Sequence, residues 1–174
     1  MFNSVFGLPL HILVVHAVVV LGPISGFCAI AYAARPAWRW TLKWPTMILA
    51  LIAGVSSFVA SQSGEALEHR LRDLGIDGQQ MELVHQHAEA GDLAGAVGGL
   101  FMVLTLVLTF WPLSANRNYG VPPHVADPVP SGWWRSPVAQ AVSVAVMVLM
   151  AVVFIAAVTV AGHFGAVATW DGIY

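Results

Sequence analysis

Charge is what this sequence has least of. Only 9% of its 174 residues are Asp, Glu, Lys or Arg, and Lys43 stands alone against six arginines. A soluble domain of this length needs more polar cover for its core, so a water-soluble fold is not expected. Cysteine is nearly absent too. With Cys28 alone there is no Cys-x-x-Cys-His, which removes covalent haem attachment, and Cys28 is expected to be a small packing residue. Neither Gly-x-Ser-x-Gly nor His-Glu-x-x-His occurs, and no spacing of Ser, His and acid singles out a triad, so no enzyme chemistry is legible. No Lys or Arg precedes the first apolar stretch in "MFNSVFGLPLH", and that stretch is too long for a signal core. It reads as a retained helix. A net charge of −2 suggests no nucleic-acid partner.

What the chain has in abundance is apolar length. Hydrophobic residues make up 58% of it, with a mean hydropathy of +0.76. Four apolar runs, roughly 9–34, 44–61, 93–112 and 138–161, approach the ~20 residues that cross a bilayer. The fold class expected is all-α: a polytopic membrane protein, one domain over 1–174, built as a four-transmembrane-helix bundle with the lipid bilayer as its first partner. Arg35, Arg39 and Lys43 follow the first run, and Arg117 and Arg135 follow the third. Only Arg70 and Arg72 lie between the second and third. Basic residues favour the cytoplasmic side, so both termini are expected to be extracytoplasmic. Trp38, Trp40, Trp44, Trp111, Trp133 and Trp134 would form an inner interfacial belt, with Trp170 on the outer side. Gly22 and Gly26, the series Gly91, Gly95 and Gly99, and Ala53, Ser57 and Ser61 repeat at spacings of four, which lets helix backbones approach closely. Pro23 is a candidate kink.

The loop between the second and third runs is acidic, with Glu65, Glu68, Asp73, Asp77, Glu82, Glu89 and Asp92. It also has helical period. Leu67, Leu71 and Leu74 prolong the second helix to Gly75; "GIDG" turns, and Asp77 with Gln80 resembles a capping box that restarts a helix near Gly78. The result is an extracytoplasmic helical hairpin. "NRNYGVPPHVADPVPSGWW", with no helical period, reads as an inner loop.

Six of the seven histidines fall toward the hairpin side: His11, His16, His69, His85, His87 and His163, with His124 opposite. All four helices contribute, as in bundle cofactor sites. Glu65 and His69, and His85 and Glu89, lie four apart, and Glu82 precedes His85 by three. His16 lies about 7.5 Å deeper than His11 and is rotated from it by about 140°, so the two face different neighbours. An ionisable residue at that depth is a functional candidate. Taken one at a time these histidines have plainer roles: wet polar tips for His11 and His163, surface ion pairs for His69, His85 and His87, and an interhelical hydrogen bond for His16.

"GLPLHILVVHAVVVLGP", "SGEALE", "HAEAGD" and "GHFGAVATWDG" resemble the landmarks of a bacterial family of small four-helix membrane proteins classed only as a domain of unknown function, the 2231-type domain. The resemblance covers almost the whole chain and rests most on Gly7, Pro9, His11 and His16, with Gly162, His163 and Gly165 in the tail. Ile12 and Ala17-Val18 stand where many members carry Pro and Phe-Pro, and Ala166 replaces the usual second tail glycine. Some members are fused to a Rieske-type iron–sulfur domain, so the resemblance implies redox work at a bacterial plasma membrane, with respiratory or Rieske-type partners.

Two kinds of site are compatible with these residues. Haem b takes one or two axial imidazoles from facing helices, for which His11, His16, His87 and His163 are the candidates. A non-haem site for Zn or Fe would draw on Glu65, His69, His85, His87 and Glu89. The leading expectation is an accessory redox protein binding haem b or a metal. The alternatives are a structural subunit of a larger membrane complex, with homo-oligomerisation one form of it, and a transporter or ion pathway. Transport is disfavoured by the lack of acidic residues within the runs and of an evident pair of inverted halves.

Overall fold

The computed structural model describes residues 4–5, 7–115, 121–124, 126 and 132–171. Two-residue strands β1 (Ser4–Val5) and β2 (Leu8–Pro9) pair antiparallel near Gly7, whose φ of 81° suits glycine. Four helices follow: α1 (Leu10–Ala34), α2 (Arg39–Asp73), α3 (Gly78–Phe110) and α4 (Pro137–Trp170). Each is long and apolar enough to cross a membrane. They form an up-and-down bundle in which each helix packs on its neighbours in sequence and α4 closes on α1. α1 and α3 therefore stand on one diagonal, α2 and α4 on the other.

The helix ends follow local chemistry. α2 runs through Pro45 without interruption and stops where Gly75 takes φ 81°; α3 starts at Gly78 with φ 64°. The restart falls where the sequence places it, but Asp77 makes no side-chain cap bond, so the glycine turn sets the boundary rather than a capping box. Ser136 does cap α4, accepting from the Ala139 N–H at 3.2 Å, with Pro137 in the first turn. α4 also outruns its expected end near residue 161 and continues to Trp170. Its last turns are held by the start of α3: the Gln80 amide donates to Ala168 O at 2.8 Å and that of Gln79 to Asp171 at 3.0 Å. The hairpin is thus flanked by a third helix.

Small residues bring the backbones together. A Cβ on Gly54 would lie 2.6 Å from Met102 Cβ and 3.0 Å from Gly98 O, and one on Gly98 would lie 2.8 Å from Ser57 Cβ. Gly22 and Gly26 face Val158 and Ile155 of α4. In α3 the contact falls on Gly95 and Gly98, whereas Gly91 and Gly99 have nothing nearby; the expected spacing of four names one true contact and misses Gly98. Phe101 and Phe154, both fully buried, stack at 4.8 Å across α3 and α4 in the middle of the core. Outward lie Ile24, Phe27, Phe58, Leu100, Leu149 and Val152, an apolar exterior that suits lipid rather than water.

The end opposite the hairpin is closed by a polar knot. Arg39, which the sequence presents as a loop charge, is 1% exposed. Its guanidinium donates to Gln140 Oε1 at 3.3 Å, to Ala33 O at 3.2 Å and to Tyr32 O at 3.4 Å. Gln140 in turn donates to Pro112 O and Trp134 O, and Tyr32 Oη to Leu113 O at 2.7 Å. Trp38, Trp40, Trp44, Trp111 and Trp133 ring this end, exposed, while Trp170 marks the other. The expected loop over 115–133 lies partly outside the described residues; within it Ala115 and Val121 are buried.

Candidate functional site

α1 and α3 each carry one histidine on the same helical stripe as their buried residues. His11 leads the series Val18, Gly22, Ala29, and His87 leads Ala94, Gly98, Phe101, Thr105. That register turns both rings toward the bundle axis, where their centroids lie 5.8 Å apart at an interplanar angle of 73°. A ring can fit there because the facing positions on the other diagonal are glycines. A Cβ on Gly64 would sit 3.2 Å from His11 Cε1 and Nδ1, and one on Gly165 would sit 2.9 Å from His87 Cε1.

Each imidazole is oriented by a backbone carbonyl of the adjacent helix. His11 Nδ1 donates to Ala60 O at 2.9 Å, one turn before Gly64, and His87 Nδ1 donates to Ala161 O at 3.0 Å, one turn before Gly165. An Nδ1–H committed to a carbonyl leaves Nε2 with its lone pair in the neutral ring, the tautomer that ligates metals.

The other candidate residues lie elsewhere. His16 is exposed on the outer face of α1 with its Nδ1 bonded to Ile12 O of its own helix, as five residues of rotation from His11 require. His163 is exposed because Ala161 and the glycine at 165 occupy the inner stripe of α4 on either side of it; its ring lies beside Phe164. His85, two residues before His87, is on the opposite side of α3, with Nδ1 3.1 Å from Glu68 and Nε2 3.5 Å from Glu89. Glu68 also binds Arg72 at 2.7 Å. Glu65 and His69 are exposed on α2 and apart from this group. Among the described residues no set of three or more His, Cys, Asp or Glu side chains gathers as a metal-holding group. Cys28 is half-buried beside Thr46 Oγ1 at 3.3 Å, a packing position. The residues that sequence reasoning passed over are Ala60 and Ala161, whose carbonyls orient the rings, and Gly64, which makes room for one of them.

Two imidazoles sharing one metal at a metal–nitrogen distance of about 2 Å hold their centroids about 5 Å apart at a tetrahedral angle and about 6 Å apart when trans. The observed separation of 5.8 Å lies in that window.

The fold and the lipid-suited exterior define the chain as a four-helix integral membrane protein. A family model described as a predicted membrane protein, DUF2231, matches residues 7–173, and the chain belongs to that family. No curated protein and no solved structure matches it.

Proposed function

We propose that His11 and His87 ligate one transition metal, haem b iron foremost, and that the protein serves as an accessory redox protein at the membrane surface. The observation that carries this is the facing imidazole pair, each ring oriented through Nδ1 by a backbone carbonyl and each with Nε2 left for a ligand. Two axial imidazoles are what a six-coordinate haem iron takes from a protein, whereas zinc centres take three or four protein ligands. Iron is therefore favoured over zinc. The hairpin end faces outward in this reading, with respiratory or Rieske-type proteins as electron partners. The test is an oxidised and dithionite-reduced absorption spectrum of the detergent-purified chain, expressed with ample haem, with metal analysis of the same sample. Sharp reduced α and Soret bands are expected, lost in His11→Ala and in His87→Ala and kept in His16→Ala. A colourless sample without stoichiometric metal overturns the proposal.

A second reading has one observation behind it. His16 is exposed on the outer face of α1 within the first apolar run, which suits a subunit packed on another membrane chain, whether a different one or a second copy. Co-purification of a stoichiometric partner that is lost in His16→Ala would favour it. A transport pathway fits less well, because transporter sites lie near the bilayer midplane and the histidine pair lies at one edge.

A further inference from the structure

Facing pairs at both ends of the bundle join the two halves of the chain. At the hairpin end His11 meets His87, and at the other end Arg39 bonds Gln140. Taking the members of each pair as equivalents, His87 follows His11 by 76 residues and Gln140 follows Arg39 by 101. The first shift then relates α1 to α3 and the second relates α2 to α4. Contacts not used to set these shifts obey them. His11 on Ala60 O and Gly64 corresponds to His87 on Ala161 O and Gly165. Val19 against Gly162 corresponds to Gly95 against Ser61, and Gly22 against Val158 to Gly98 against Ser57. Gly26 against Ile155 corresponds to Met102 against Gly54. The register holds from the histidine pair to the centre of the bundle, with small and large partners sometimes exchanged. A trace survives in the letters: Val-Ala-x-x-x-Gly occurs at 59–64 and at 160–165, and a histidine precedes a glycine by eleven residues at 11–22 and at 87–98.

We infer that α1–α2 and α3–α4 are two versions of one helical hairpin, related by a pseudo-two-fold axis along the bundle, and that the His11–His87 pair is a single site on that axis. The halves run the same way, so the relation is a parallel repeat about an axis along the membrane normal, not an inverted one. Residues that are equivalent and also touch must lie on the axis, as His11 with His87 and Arg39 with Gln140 do. Each half offers its ligand the same nitrogen, Nε2, on a ring held by the same carbonyl and cleared by the same glycine. This rests on the ligand-binding reading above and deepens it. The class of ligand is a single centre that accepts two equal imidazoles, one haem iron or one metal ion per chain, rather than a ligand held by one histidine and merely approached by the other.

The test titrates the full chain with two probes, haemin and Cu(II). One equivalent of a probe per chain is expected, and His11→Ala and His87→Ala should weaken its binding by factors that agree within about threefold. If one variant keeps wild-type binding while the other loses it, the equivalence is overturned although a histidine site remains. If the wild-type chain binds neither probe, the ligand reading fails, and the repeat is decided by distances between spin labels. In a Cys28→Ser background, labels on Phe27→Cys with Val152→Cys and on Val103→Cys with Leu51→Cys, all at exposed positions, form equivalent pairs, and the two distances should agree. Two clearly different distances overturn the repeat.

Discussion

Gly64 and Gly165 matter for what they leave out. At Gly165 any side chain would meet the His87 ring, and at Gly64 it would meet that of His11, so a small substitution at either position acts on the imidazole rather than on the helix. Gly165→Val should move the His87 ring off Ala161 O and weaken haemin binding at least tenfold with the helical content unchanged, as read by titration beside circular dichroism. Gly99→Ala is the control. A Cβ there meets nothing, and alanine's helix preference of up to about 1 kcal/mol should leave stability equal or slightly higher. At this scale the sequence is partly legible. The histidine-rich edge is visible in the letters, and the rotation separating His11 from His16 follows from helix geometry. Choosing His87 over His85 needs the register of the buried stripe, which shows only once Ala94, Gly98 and Phe101 are known to face inward. Sequence reading has no access to a backbone carbonyl as partner, so Ala60 and Ala161 carry no signal.

Helices meet most closely where α2 crosses α3. Gly54 lies against Met102 Cβ and the Gly98 carbonyl, atoms that cannot swing away as the end of a flexible side chain would. Gly54→Val should therefore cost about 1–3 kcal/mol of overpacking and lower the thermal midpoint in detergent, while Val55→Ala, on the exposed face, should change it little. Boundaries marked by backbone geometry are readable in advance: Gly75 and Gly78 frame the turn between α2 and α3 as the letters suggest. Boundaries decided by packing are not. The apolar run of α4 ends near residue 161, yet the helix continues because Gln79 and Gln80 of α3 hold its last turns. Spacing of four likewise selected Gly91 and Gly99, which face away, because the helix period of 3.6 moves the contact to Gly98.

The whole molecule is a bundle fastened at both ends, by polar contacts around the histidine pair at one and by the Arg39 knot at the other. Arg39 joins the end of α1 to α4 from a site that is almost wholly buried, and hydrogen bonds from a charged group contribute about 1.5–3 kcal/mol each. Arg39→Met should accordingly lower the melting temperature well below that of wild type, whereas Arg35→Met, at an exposed position, should not. The four spans and the bundle are legible from hydropathy alone, since the bilayer fixes their length. How the halves relate is not, because packing constrains size and register while leaving most letters free, and only a few positions are shared between them. The most direct test of the central claim, that His11 and His87 ligate one centre, is low-temperature electron paramagnetic resonance of the oxidised, haemin-loaded protein. A low-spin ferric bis-imidazole signal is expected, converting to high spin in His11→Ala and in His87→Ala alike. A high-spin signal in the wild-type chain, or a low-spin signal that survives both substitutions, would contradict it.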